Sequence, residues 1–521
     1  LALKIGEGDA GLARPLPELG EPGTLAALRT IHQPPGDADT DALMRVAHPA
    51  QQRLVREELL AHQLSMRLLR NRVKAGAAPR IDGAKDALAA LAAQLPFGLT
   101  GAQQRVIGEI AKDLASARPM LRLVQGDVGS GKTLVAASAM LTAVRAGWQA
   151  ALMAPTELLA EQHARNFRQW LEPLGIHVEL VAAKLKKSAK DAALARVAGG
   201  EAQIIIGTHA VFQSAVSFAK LGLVVVDEQH RFGVQQRLAL RDKAPGALSP
   251  HQLIMSATPI PRTLAQTVYA DLDVSIIDEL PPGRSPVVTG AMSNEKRGEV
   301  LARIGEVCGH GRQAYWVCTL VEESEQVEAQ AAEDTALQLR AELPGLRVGL
   351  VHGRLKAEEK DLQMRAFKEG QTQLLVATTV IEVGVDVPNA SIMIIENAER
   401  LGLSQLHQLR GRVGRGAIES QCLLLYKPPL SEMARQRLAV MRETNDGFRV
   451  AQKDLELRGP GELFGRRQTG VIGMKLADPL RDAHLVGPLQ ALADRWLQAS
   501  PQLAELLIGR WIGDVGRYAQ V

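Results

Sequence analysis

Three short stretches carry residues whose types and spacing suit phosphate chemistry. The first is "GDVGSGKT", formed by Gly126, Asp127, Val128, Gly129, Ser130, Gly131, Lys132 and Thr133. It fits G-x-x-x-x-G-K-[ST], in which small residues let successive backbone N–H groups curl around phosphate oxygens. A helix opening behind the loop adds positive potential. Lys132 is then placed for the β- and γ-phosphates of ATP, and the Thr133 hydroxyl is a ligand for Mg²⁺. The second stretch is "LVVVDEQH", where Asp227 and Glu228 close an apolar run. Two acids at the end of a buried strand are costly unless a cation or proton chemistry uses them. Beside a phosphate loop, Asp227 belongs in the Mg²⁺ shell, and Glu228 orients or deprotonates the attacking water. The third stretch is "HQLRGRVGRG", His407 to Gly416, in which Arg410, Arg412 and Arg415 stand among glycines. Such a run has no core to join and calls for an anion. If ATP sits in a cleft between two domains, Arg412 and Arg415 reach across it to the γ-phosphate as arginine fingers.

These residues need a frame to bring them together. From about residue 120, short β-rich apolar runs ("LRLVQG", "QAALMAP", "VELVAA", "QIIIGT", "LGLVVVDE", "QLIMSAT") alternate with helical stretches. The pattern pauses at "LPPGRSP" and resumes with "RQAYWVCTL", "LRVGLVH", "QLLVATT", "SIMIIEN" and "QCLLLY". That rhythm predicts βαβ units, hence an α/β fold of two tandem parallel-sheet domains flanked by helices. The expected boundaries are 95–283 for the first, ATP-binding domain and 284–429 for the second, with a helical region over 430–521.

Residues 1–94 read as a connector followed by a long linker helix. Within "PAQQRLVREELLAHQLSMRLLRNRVKAG", Pro49 suits the first turn and Gly76 falls just past the end. Val55, Leu59, His62, Met66, Leu69 and Val73 recur at helical steps, which predicts one buried stripe. Arg53, Arg56, Arg67, Arg70 and Arg72 fall on other faces, as a solvated basic side or a surface that touches DNA.

Composition bounds the rest. The chain has 521 residues, enough for roughly three or four domains. With 46% hydrophobic and 23% charged residues it is globular rather than disordered. A net charge of +4 permits contact with nucleic acid without demonstrating it. Three cysteines, Cys308, Cys318 and Cys422, have neither disulfide nor zinc spacing, which points to a reducing cytoplasm. No apolar run approaches the length of a membrane-spanning helix, and the first residues show no secretory pattern.

In chain order, "GDVGSGKT", "APTELLAEQ", "GTHA", "DEQH", "SATP", "VHGRL", "ATTVIEVGVDVP" and "QLHQLRGRVGRG" resemble the motifs of the superfamily 2 helicases. With "LVQGDVGSGKT", "DEQHRFGVQQR" and "TVIEVGVDVPNA", the chain from about residue 24 onward is similar to the helicase part of the RecG family, bacterial fork-remodelling DNA translocases. The resemblance implies two RecA-like domains, ATP and Mg²⁺ as cofactors, and nominal 3′ to 5′ polarity. It implies duplex and branched DNA, including replication forks and Holliday junctions, as partners in repair and recombination. A single-stranded-DNA-binding protein as partner, a monomeric state and a place in the bacterial cytoplasm near the nucleoid come from the same source.

Residue by residue, the resemblance gives Thr156, Thr208, His209, Arg354 and Thr379 to the nucleic-acid backbone, and Ser256 and Thr258 to coupling hydrolysis to domain movement. Gln408 joins Arg412 and Arg415 on the nucleotide side. Phe97 would stack on adenine and Gln103 read its edge, although a lone Phe and Gln also suit packing and surface. Residues 442–470 resemble a translocation motif containing Arg458 and Gln468; Arg466 and Arg467 there suit phosphates or a solvated turn equally. Relatives of this kind carry an N-terminal wedge domain that splits the fork. The chain begins near where that domain hands over, which leaves fork binding and strand separation in doubt.

Competing functions predict other features. A transcription-coupled repair translocase needs a polymerase-binding module, and an RNA helicase has no place for "LELRGPGELFG". A protein-translocation motor needs a large preprotein-binding insertion, and an ATP-gated scaffold would lack Glu228, Arg412 and Arg415.

Overall fold

A computed structural model describes residues 16–182, 187–213, 216–227, 248–257, 272–281, 286–319, 325–378, 387–414, 419–458, 474–478 and 481–513. Glu228, Thr258, Thr379, Arg415 and Gln468 lie outside the described residues, as does the side chain of Arg458.

The chain opens with helices α1 (Thr24–His32), α2 (Thr40–Met44), α3 (Pro49–Lys74), α4 (Ala84–Ala92) and α5 (Gly101–Leu114). A first set of βα units follows: β1 (Leu121–Gly126), α6 (Lys132–Arg145), β2 (Gln149–Met153), α7 (Glu157–Leu171), β3 (Val178–Val181), α8 (Lys187–Gly199) and β4 (Ile204–Gly207). Strands β5 (Leu221–Asp227), β6 (His251–Ser256) and β7 (Asp273–Ile277) complete a seven-stranded sheet of order β3-β4-β2-β5-β6-β1-β7. Every pairing in it is parallel. Helices cover both faces, so the inner strands are continuous apolar runs, as in "LGLVVV" of β5.

The second sheet is built from β8 (Val288–Ser293), α9 (Arg297–Gly309), β9 (Gln313–Val317), α10 (Glu325–Glu342), β10 (Val348–Val351), α11 (Ala357–Lys368), β11 (Leu374–Ala377), β12 (Ala390–Ile395), α12 (Leu403–Arg410) and β13 (Gln421–Tyr426). Its six strands run in the order β10-β11-β9-β12-β13-β8, again all parallel. The edge strands β7 and β8 are additions to the strands expected from the apolar runs.

Among the described residues four further helices follow: α13 (Glu432–Glu443), α14 (Gly447–Arg458), α15 (Ala483–Ala499) and α16 (Pro501–Trp511). Leu438 and Met441 of α13 and Val450 of α14 enter the core of the second sheet domain, and Leu158 of α7 packs against it from the first. Helices α15 and α16 instead return to α3, where Leu492, Trp496, Leu507 and Trp511 share a core with Leu54, Leu60 and Leu64. Burying each such leucine contributes roughly 1.5–3 kcal/mol before ordering costs.

This return packing corrects the reading of α3. Val55, Leu59 and His62 are buried as the spacing predicts; the side chains of Leu69, Arg72 and Val73 lie outside the described ones, and among those described the basic residues do not form a solvated side. Arg53 is fully buried. It donates to the carbonyls of Leu16 (3.1 Å) and Gly20 (2.9 Å) and pairs with Glu57 at 2.8 Å. A buried guanidinium is tolerated there because both its Nη groups meet acceptors and its charge meets Glu57, while its Nε finds no partner among the described residues. Arg67 pairs with Asp494 of α15, and Arg70 and Lys74 both meet Asp273 of β7. Arg67, Arg70 and Lys74 thus bolt α3 to the C-terminal helices and to the first sheet, while Arg53 and Arg56 tie it to the segment before α1. Among the described residues, no helix is long and apolar enough to cross a membrane.

Candidate active site between the two sheets

Parallel strands deliver all their carboxyl ends to one edge, where open α/β sheets bind ligands. In the first sheet β5, β6 and β1 are neighbours, with Asp227 opposite Met255 and Gln125 opposite Ser256. The phosphate loop after β1, Asp227 closing β5 and Ser256 closing β6 therefore collect on one rim.

The loop's shape follows from its glycines. Gly131 has φ 87°, and a Cβ there would lie 2.2 Å from Gln103 Nε2. Gln103 itself is buried; its Oε1 accepts from the Thr100 N–H (2.9 Å) and its Nε2 donates to the Ser130 carbonyl (2.9 Å). Each end of the amide thus meets the protein, capping α5 and bracing the loop from behind. The spacing T-x-x-Q in "TGAQ" is a capping-box signal that foretells half of this arrangement. Phe97, by contrast, is half exposed.

Lys132 is the first residue of α6 and is buried. Its Nζ donates to the carbonyls of Gly126 (2.7 Å) and Asp127 (2.9 Å). Ser130 Oγ is buried without a hydrogen-bond partner among the described residues, which suits a loop built to receive phosphate oxygens. Thr133, next along α6, is partly exposed. The Asp227 carboxylate lies 2.9 Å, through Oδ2, from His163 Nε2 of α7. An oriented carboxylate and a hydroxyl are hard oxygen donors of the kind Mg²⁺ takes alongside phosphate and water, so the residues fit that ion. His163 was not foreseen, because nothing local marks a histidine on α7 as the neighbour of an acid 64 residues on.

The second sheet's contribution arrives on α12 and the turn after it. Arg410 is buried and meets carbonyls instead of an anion: it donates to Met441 (2.7 Å) and Thr444 (2.8 Å), and to Thr289 Oγ1 (3.3 Å). Gln408 is partly exposed and Arg412 nearly buried. Gly411 is pressed so close to the phosphate loop that an added Cβ would lie 2.9 Å from Val128 Cβ. His407 Nε2 lies 2.6 Å from Asp127 Oδ1, and the Gly447 N–H at the start of α14 donates to Asp127 Oδ2 (3.2 Å). Burial alone would raise the Asp127 pKa. The His407 hydrogen bond, the Val128 N–H and Lys132 outweigh it, so the carboxyl sits below its ordinary value as an anion.

The residues expected along the nucleic-acid backbone gather on the other half of the rims. Thr156 follows β2 and caps α7 through Leu159 N–H (3.4 Å). Thr208 follows the adjacent β4 and is buried, with His209 exposed beside it. In the second sheet Arg354 is exposed after β10, next to the end of β11.

Two parallel sheets in tandem, a phosphate loop on the first and an arginine-bearing helix from the second laid against it define a superfamily 2 helicase. Residues 100–267 match the DEAD/DEAH box helicase family, 299–417 the helicase conserved C-terminal domain, and 444–506 the C-terminal part of domain 3 of ATP-dependent DNA helicase RecG. The chain belongs to the RecG family of ATP-dependent DNA helicases. It is 58% identical to ATP-dependent DNA helicase RecG of Pasteurella multocida over 95% of its length and 72% of that protein's. With the Escherichia coli K12 protein of the same name it shares 59% identity over 95% of its own length and 71% of the relative's. A solved structure of RecG bound to a three-way DNA junction superposes with a TM-score of 0.75 at 40% identity, covering 93% of this chain and 62% of that one.

Proposed function

We propose that this chain is the motor of a branched-DNA translocase, which hydrolyses ATP between its two sheets to reverse stalled forks and move Holliday junctions. The observation that carries the reading is the seating of His407 and Gly411 on Asp127 and Val128. A second domain in contact with the phosphate loop is sensitive to what that loop holds, and relative motion of two domains along a strand is translocation. Its relatives' name, and the junction held by its structural neighbour, supply the track.

In this reading Lys132 leaves the Gly126 and Asp127 carbonyls for the β- and γ-phosphates. Thr133 and Asp227 hold magnesium, which when bound neutralises the phosphate oxygens as a Lewis acid. Glu228 aligns the attacking water, Arg412 and Arg415 balance charge on the transferring phosphoryl group, and Gln408 aligns with them. Phe97 stacks on the base. Thr156, Thr208, His209, Arg354 and Thr379 hold the strand by its backbone, which permits tracking without reading sequence. Ser256 and Thr258 link the two rims, while Arg458 and Gln468 pass the stroke to duplex DNA. The motor works as a monomer, and a single-stranded-DNA-binding protein is its partner at forks.

The test is ATP hydrolysis without DNA, with single strands, with linear duplex and with a synthetic fork, beside Lys132→Ala. Stimulation by duplex or fork that the variant lacks is the expected result. Hydrolysis indifferent to every DNA would overturn the motor reading.

A further inference from the structure

Asp127 does two things at once. Its backbone carbonyl accepts from Lys132 Nζ at 2.9 Å, so its peptide is tied to the group that meets phosphate. Its carboxylate belongs to the other domain, with Oδ1 on His407 Nε2 at 2.6 Å and Oδ2 on the Gly447 N–H at 3.2 Å. The His407 ring continues the path: its Nδ1 lies 2.9 Å from a guanidinium nitrogen of Arg410. Because an arginine N–H can only donate, Nδ1 must accept, which places the imidazole hydrogen on Nε2, facing the carboxylate. One neutral tautomer satisfies both neighbours. Arg410 then holds the carbonyls of Met441 and Thr444, where α13 hands over to α14. A second tie keeps α12 and α14 together: Asp454 accepts from the Leu403 N–H (3.3 Å) and the Ser404 hydroxyl (2.9 Å).

We infer that His407 is a positioning residue that latches the second domain to the phosphate loop through Asp127. When phosphate draws Lys132 off the Asp127 carbonyl, that peptide loses its charge-assisted bond and the loop relaxes. The carboxylate on the same residue carries the change to His407 and, through Arg410, to the α13–α14 turn. The α13–α14 pair is thereby read directly from the nucleotide loop, without a route through DNA. The role rests on the motor reading above but is testable apart from it.

Dyes on Gln104→Cys and Leu362→Cys, one exposed position in each domain, report closure, since the three native cysteines are buried. Addition of ADP with beryllium fluoride and Mg²⁺ should change energy transfer in the parent. His407→Ala should lose at least half of that change while fluorescent ADP still binds within about 3-fold of the parent affinity, the split expected of a coupling group rather than a ligand. His407→Gln, whose amide can donate toward Asp127, should restore most of it. In DNA-stimulated hydrolysis, His407→Ala should lower kcat roughly 10-fold with KM for ATP nearly unchanged. Closure of His407→Ala indistinguishable from the parent overturns the latch, and so does a KM that rises in step with the loss of kcat. If no DNA stimulates the parent, the motor reading fails and the closure measurement still decides the latch.

Discussion

Set aside the edge strand β7, and the first sheet reads β3-β4-β2-β5-β6-β1 while the second reads β10-β11-β9-β12-β13-β8. Strand for strand the two are wound alike, so each offers the same rim for a site, yet the rims carry opposite chemistry. In the first, β1 runs into a glycine-rich loop and Lys132 opens α6; in the second, β8 runs into a short 3-10 turn and Arg297 opens α9. The first sheet's β5 ends in Asp227, and the second's β12 is followed at once by Glu396. There Arg297 Nε meets Glu396 Oε1 at 3.2 Å, also pairs with Glu342 at 3.0 Å, and lies 5.2 Å over the Trp316 ring. Cation and acid in the second sheet satisfy one another. In the first, the lysine rests on loop carbonyls that a stronger anion can displace, and Ser130 Oγ waits without a partner among the described residues. Fold supplies the rim, but whether the rim is a site depends on whether its charges are already matched.

Lys132→Ala should break the comparison most sharply. Removing the phosphate-binding cation should lower DNA-stimulated hydrolysis at least ~10²–10³-fold, with a melting temperature close to the parent's, because the hydrogen bonds of Lys132 to the Gly126 and Asp127 carbonyls stay within its own loop. Steady-state hydrolysis beside a calorimetric scan checks both halves. A large loss of stability would mean the loop depends on its lysine structurally, and the contrast with Arg297 would vanish.

How much of this was legible depended on whether the cause was local. Most of strands β1 to β6 and β9 to β13 announce themselves because inner parallel strands are dry on both faces and read as unbroken apolar runs, and the edges β3 and β10 are legible from short apolar runs of their own. The other two edge strands do not: β8 is "VTGAMS" with Val288 64% exposed, and β7 is only partly buried. The phosphate loop was legible because its whole signature lies within eight successive residues, Gly126 to Thr133. His407 was not, since its partner Asp127 is 280 residues away and no local pattern records that meeting. Arg53 was misread for a related reason: its acceptors, the Leu16 and Gly20 carbonyls, lie 37 and 33 residues earlier, in a stretch read as a connector. Arg410 was visible as a candidate for an anion, but its isolation was judged from neighbours in sequence, whereas its carbonyl partners come from α13 and the residue just past it.

The helical body formed by α1, α3, α15 and α16 lies outside both rims and should respond to a different variable. His62 is buried there, neither ring nitrogen has a hydrogen-bond partner among the described residues, and desolvation pushes its pKa down to about 4. Folded, the ring stays neutral until about pH 4, whereas unfolded it takes a proton below its ordinary value near 6.5. The unfolded state therefore binds more protons between those limits. Stability present above pH 6.5 is lost as the pH falls toward 4, by about 2 kcal/mol at pH 5 from this one group. Urea unfolding at pH 7.5 and pH 5 should show that loss in the parent, and His62→Leu should flatten it. An equal slope in the variant would place the acid sensitivity elsewhere.

The smallest expected effect falls on the second sheet and tests whether its rim is a self-satisfied copy of the first. Arg297→Ala leaves Glu396, one-fifth exposed, beside a vacated cation. Partial exposure screens the charge, so the cost should be about 1–2 kcal/mol rather than that of a fully buried break. Nucleotide affinity should not move, because no described contact runs from Arg297 to the phosphate loop; its partners are Glu342, Glu396 and the Trp316 ring. Arg297→Met combined with Glu396→Gln removes both charges and should recover much of the loss, since the penalty of the single variant is mainly the stranded acid. Thermal unfolding of the three variants together with fluorescent-nucleotide binding separates the outcomes. If Arg297→Ala weakened nucleotide binding without destabilising the fold, the second rim would have to be counted as part of the site. The double variant would then fail to rescue, because what had been lost was a contact with ligand and not a partner for Glu396.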